Sequence, residues 1–257
     1  MDWIGLKTMK GIYIKALLIL LVVLASCGTT MKQKEEQAAI HYRLGVVHLN
    51  DGDITEALKE LTVAVKMHPR EPSFHNALGL AYFARGMNQE AKRHMNDAIK
   101  LQQDFSEAHV NLAAVYIKEG DWDGAIAESE EALRNIFYGT PELAHFNMGQ
   151  AYLNKGSYPE ALERFKKAVE LNPNYPPAYY NMGLAFEKMG RPMESVEAYR
   201  RAVRMEPRYV DAYYSLGLVL VKTRDRTGAV EAFRKVMELA PESEKARSAR
   251  EYIELMK

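Results

Sequence analysis

Residues 176–209 read PPAYYNMGLAFEKMGRPMESVEAYRRAVRMEPRY, and this stretch decides the fold. It predicts one helix up to Gly190, a tight turn at that glycine, a second helix, and a stop at Pro207. Small residues stand at its eighth and twentieth positions, Gly183 and Ser195, where two antiparallel helices would cross. A large side chain there would push the helices apart. The aromatic Phe186, at position eleven, fills the adjoining space.

The pattern returns in both directions. Position eight holds Gly45, Gly79, Ala113, Gly149, Gly183 and Gly217, with spacings of 34, 34, 36, 34 and 34. Position twenty holds Ala57, Ala91, Ala125, Ala161, Ser195 and Ala229. The turn glycine recurs as Gly52, Gly86, Gly120, Gly156 and Gly190, and Pro69, Pro173, Pro207 and Pro241 share position thirty-two. Residues 38–243 therefore divide into six units: 38–71, 72–105, 106–141, 142–175, 176–209 and 210–243. The third carries two extra residues within Asn135–Pro141, which read as a loop extension, a functional hinge being the alternative. One such unit cannot bury its apolar face alone, so neighbours must stack.

A 34-residue period with these small residues resembles the tetratricopeptide repeat. The resemblance implies an all-α fold, a right-handed α-solenoid of six repeats. Residues 244–257 carry Ala246, Ala249, Tyr252, Ile253 and Met256 at helical spacing among charges, as expected of a helix capping the last repeat.

The N-terminus follows another logic. Lys7, Lys10 and Lys15 precede an apolar run from Ala16 to Ala25. About ten residues suit a signal-peptide core and fall short of the roughly 20 needed to span a bilayer. The run ends Leu24-Ala25-Ser26-Cys27, which resembles a bacterial lipobox; an ordinary signal peptide with an incidental Cys is the alternative. The resemblance implies a signal peptide over 1–26, lipidation of Cys27 and a polar tether over 27–37. Gly28, rather than Asp, follows the Cys, which by the enteric sorting rule implies an outer-membrane anchor facing the periplasm.

Composition closes off other classes. The chain has 257 residues with 34 basic and 34 acidic side chains, which offers no electrostatic draw toward nucleic acid. Removal of the leader leaves 31 basic and 33 acidic residues. With Cys27 as the single cysteine, neither a disulfide framework nor a multi-Cys zinc site can form. No phosphate loop, nucleophile elbow or His-Glu-x-x-His motif occurs, so neither an enzyme, a cofactor nor a small-molecule substrate is expected. His41, His75, His109 and His145 share position four, which Tyr179 and Tyr213 occupy in later units. They are read as packing rings rather than metal ligands. The run Glu128, Glu130 and Glu131 is read as a solvated face.

In tetratricopeptide repeats, positions five, nine and twelve of each first helix line the inner groove. Here they supply Tyr42, Val46, Leu49, Leu80, Phe83, Val110, Ile117, Phe146, Leu153, Tyr180, Leu184, Tyr214, Leu218 and Val221. A contiguous apolar strip marks a protein-binding groove.

A lipobox, six such repeats and a final helix resemble the type IV pilus biogenesis and stability lipoproteins, the PilF/PilW family or pilotins. The stretch Tyr138–Ala144 followed by Asn147-Met148-Gly149 resembles the middle of that family. The resemblance implies a client protein, a secretin subunit, whose localisation or multimerisation the chain would assist. The alternative is a general periplasmic repeat scaffold, NlpI-like, that organises cell-wall enzymes.

Overall fold

A computed structural model describes residues 31–256; the leader and Cys27 lie outside the described residues. Thirteen helices and no strand occur among the described residues. They fall into two compact units, divided between Gln103 and Asp104. The first unit contains α1 (31–50), α2 (Ile54–Met67), α3 (Pro72–Ala84) and α4 (Asn88–Leu101). In the second, α5 (Ser106–Glu119) and α6 (Trp122–Arg134) make one hairpin, and α7 (Pro141–Lys155) and α8 (Tyr158–Leu171) the next. The hairpins α9 (Pro176–Lys188) with α10 (Pro192–Met205) and α11 (Val210–Lys222) with α12 (Arg226–Leu239) follow, and α13 (Glu244–Leu255) closes the unit. Within each unit the helices stack as tetratricopeptide hairpins, each packed on its neighbour in sequence.

One expectation changes. Residues 31–37, read as a polar tether, are helical and exposed, and they extend α1 ahead of the first repeat. Lys, Gln and Glu dominate this stretch and are good helix formers, so the helix continues past its last buried turn.

The turns follow one construction. Gly120 adopts φ 81° and its N–H donates to the Ile117 carbonyl, while the Asp121 N–H donates to Tyr116. The same bonds close the helices at Gly52, Gly86, Gly156 and Gly190. In the sixth repeat the slot is taken by Arg224 at φ 63°, a left-handed conformation that a side chain adopts at a cost of about 1 kcal/mol or more. Asp53, Asp121 and Asp225 begin the second helices by accepting from the backbone N–H three residues on.

The position-eight glycines show why the period is strict. A Cβ on Gly149 would lie 2.5 Å from the Phe165 ring, and one on Gly217 would lie 2.5 Å from Phe233. Gly45 meets Leu61, Gly79 meets Met95 and Gly183 meets Tyr199 in the same way. Each partner stands at position twenty-four and is fully buried. The third repeat inverts the arrangement. Ala113 brings a methyl, and its partner Ser129 is small, with its hydroxyl donating to the Ala125 carbonyl at 2.8 Å. Both residues are fully buried, a methyl on one helix matched with a small side chain on the other.

At the end of the second unit, Ala246 and Ala249 of α13 are buried against Phe233 and Val236, and Tyr252 stacks on Phe233 at 5.3 Å. Lys245 pairs with Asp211 across to α11. The insertion of the third repeat buries Tyr138 beside Val110 and Ala144, leaving Ile136 and Phe137 87% exposed.

Gly183→Ala should destabilise the chain by about 2 kcal/mol, because the added methyl must displace a fully buried ring. On a Tyr199→Ser background the same change should cost far less. Thermal unfolding of the four variants measures the coupling, and equal penalties in both backgrounds would show that the ring is not the obstacle.

Candidate protein-binding groove

Positions five, nine and twelve are spaced i, i+4 and i+7, so each first helix presents them on one face. On α7 they are Phe146, Gln150 and Leu153; on α9, Tyr180, Leu184 and Glu187; on α11, Tyr214, Leu218 and Val221. All nine are half-buried. Tyr180, Leu184, Tyr214, Leu218 and Val221 pack against one core cluster that includes Tyr199 and Phe233. In the first unit, Tyr42, Val46, Leu49, Leu80 and Phe83 are half-buried as well. Ile117 of α5 retains surface, but Val110 does not. It is 6% exposed, packed with Ala132, Tyr138 and Ala144, and this corrects its assignment as a groove residue. The inserted Tyr138 is what covers it.

The position-five rings are set by aromatic partners that the sequence did not reveal. Phe146 lies 5.8 Å from Phe165 and 5.0 Å from Tyr175, ring centre to ring centre. Tyr180 repeats this with Tyr199 at 5.7 Å and Tyr209 at 5.2 Å. In the first unit Tyr42 stacks on Phe74 at 4.8 Å. Position thirty-four supplies Tyr175 and Tyr209; their recurrence one period apart was the available signal. Burial raises both phenols, Tyr175 to about 12, so each remains a neutral donor at physiological pH.

One carboxylate interrupts the apolar face. Glu187 accepts from the Tyr199 hydroxyl at 2.8 Å and from the Lys222 ammonium at 2.9 Å. A half-buried acid is thus held from two neighbouring helices, with a polar anchor point beside Leu184. Asn147 contributes differently, donating to the Val110 carbonyl at 3.0 Å and tying α7 to α5.

Three of the four position-four histidines form pairs across their hairpins rather than packing simply as rings. His41 Nδ1 lies 2.6 Å from the Glu60 carboxylate, and His109 Nδ1 lies 2.7 Å from Glu128. Glu128 is therefore a hydrogen-bond partner and not part of a freely solvated face. In the second repeat His75 faces His94. In the fourth, His145 borders a recess with Arg164, Lys167 and Glu170, and its Nδ1 is buried without a hydrogen-bond partner.

Burial lowers the His145 imidazole below its ordinary value, and Arg164 and Lys167 lower it further. The unfolded chain therefore takes up protons more readily at this residue. The resulting penalty is absent above about pH 6.5 and grows as pH falls below it. His145→Phe should raise the thermal midpoint and flatten its decline between about pH 7 and pH 5. His94, lowered to about 4 by burial, Arg93 and His75, would supply part of the remaining slope. An unchanged pH dependence in the variant would contradict this assignment.

Comparison with known proteins agrees with this architecture. A profile described as Tetratricopeptide repeat matches residues 42–91, 76–139 and 180–244, and one described as TPR repeat matches 149–190. No match among curated proteins is found. Among solved structures, PilW, described as a widely conserved type IV pilus biogenesis factor, is similar at 17% identity and a TM-score of 0.77, covering 83% of this chain and 98% of its own. Pseudomonas aeruginosa PilF is similar at 18% identity and 0.74, covering 86% and 99%. A chain of the APC/C hetero-tetramer Cut9-Hcn1 superposes at a TM-score of 0.76 with 16% identity over 85% of this chain and 43% of its own. At such identities the likeness speaks for the fold. Among the described residues no helix is long and apolar enough to cross a membrane. With the matched segments covering more than half of its length, the chain belongs to the tetratricopeptide repeat family.

Proposed function

We propose that the chain is a lipid-anchored tetratricopeptide adaptor of type IV pilus biogenesis, acting on the localisation or multimerisation of a secretin. The observation that carries this reading is the end-to-end correspondence with PilW and PilF, whose own chains are covered to 98% and 99%. The lipobox ending in Cys27 supports it from the sequence. Acyl chains on Cys27 would hold the repeats at the periplasmic side of the outer membrane, several chains giving the stable anchoring that one cannot. The half-buried face of α7, α9 and α11 would take an apolar segment of the client. Half-exposed aromatic rings suit that role because they bring large contact area with few rotamers to freeze. Such an adaptor works by binding and placement, without catalysis.

Two experiments test the reading. Cys27→Ser should leave an uncleaved or soluble protein with unchanged helical content, absent from the outer-membrane fraction. Wild-type fractionation of this variant would refute the anchor. In a pilus-bearing cell, Phe146→Ala and Tyr214→Ala should each weaken client binding about tenfold, the loss expected when a groove anchor is truncated. Together they should reduce secretin multimers and surface pili, with helical content retained. If secretin assembly is undisturbed and cell-wall hydrolases are recovered instead, the chain is a general scaffold.

A further inference from the structure

We propose that His75, His94 and Asp97 form a binding site for a divalent transition-metal ion of the zinc class, clamping α3 to α4. His94 and Asp97 lie three residues apart on one face of α4, and His75 faces them from α3. The two histidines are each 8% exposed, and one ligand atom from each of the three side chains falls within 4.8 Å of the others.

The imidazoles already have the spacing a metal requires. Their Nδ1 atoms are 3.3 Å apart. Two nitrogens bound about 2.0–2.1 Å from a tetrahedral ion stand about 3.3 Å from each other. Asp97 has farther to come, but it is half-buried and its visible partner is the exposed Lys100, so its carboxylate can rotate inward. A water would complete the shell. Imidazole and carboxylate donors suit zinc, cobalt or nickel better than magnesium or calcium.

The surrounding hydrogen bonds fix which nitrogen is available. His75 Nε2 lies 3.0 Å from the Pro69 carbonyl and must donate to it, which leaves the Nδ1 lone pair pointing at His94. A backbone carbonyl holding the far side of a ligating imidazole is the usual support for such a ligand. Without metal, His94 Nδ1–H donates to His75 Nδ1, and His94 Nε2 accepts from Arg93 at 3.1 Å. A metal takes the place of that shared proton. His94 then carries its proton on Nε2, and the exposed Arg93 side chain moves aside into solvent. Of the position-four pairs in the first four repeats, only this one brings two imidazoles together with a nearby carboxylate. His41 and His109 each face a glutamate, and His145 faces Arg164.

The test uses the untagged full chain freed of metal with a chelator. Zinc titrated by calorimetry should bind at one equivalent and raise the thermal midpoint. Cobalt should give the intense visible bands of tetrahedral nitrogen–oxygen coordination. His94→Gln and Asp97→Asn should each weaken zinc binding at least tenfold. Because Asp97 is half-buried, Asp97→Asn keeps the comparison meaningful if His94→Gln disturbs the hairpin. Absence of one-equivalent binding in the wild type, or unchanged affinity in a folded Asp97→Asn variant, would overturn the proposal.

Discussion

The approach of two helix backbones at position eight is the constraint on which each repeat depends. A glycine there lets the first helix sit against a large side chain at position twenty-four, so that one ring or branched chain fills the space a Cβ would claim. Everything downstream follows from that distance. With the helices close, alanines at positions twenty and twenty-seven are fully buried in most repeats, and the polar backbone between them is satisfied within the helices. The left-handed turn residue and the aspartate caps finish the hairpin ends, where unsatisfied donors and acceptors would otherwise accumulate.

The same packing prepares the candidate groove. The ring at position twenty-four touches the glycine on one side and the position-five aromatic on another, as Phe165 does with Gly149 and Phe146. A core contact thus fixes the angle of a half-exposed ring, so part of the entropy loss of binding is already met by folding. Glu187 shows how a charge survives on such a face: a buried phenol and a lysine from the next hairpin both donate to it.

Much of the fold was legible because its signals are local. Gly183, Gly190, Ser195 and Pro207 each report a backbone requirement that holds within a single hairpin, and repetition made the pattern unmistakable. What was hidden depends on contacts across the hairpin or between repeats. Tyr175 and Tyr209 recur visibly, but only the packed structure shows that they brace Phe146 and Tyr180. The histidine ladder was visible too, but not its partners nineteen residues on: Glu128 was read as part of a solvated face, and nothing local singles out Glu60 or His94. Val110 was misplaced because Tyr138, from the insertion, packs on a face that stays partly open at Tyr42, Phe146, Tyr180 and Tyr214. The helical extension over 31–37 was missed because polar composition alone does not distinguish a solvated helix from coil.

The exchange between Ala113 and Ser129 has a consequence for how such chains diversify. A methyl on one helix goes with a small side chain on the other, so the two halves of this hairpin differ from the other repeats as a matched set. A single helix moved from the third repeat into the fifth would bring Ala against Tyr199, or leave Ser opposite Gly183 with a void between them. A whole hairpin carries its own complement and can be duplicated, lost or shuffled without that conflict. The heritable module in this architecture is therefore the helix pair, and recombination points are favoured between repeats over the turns inside them.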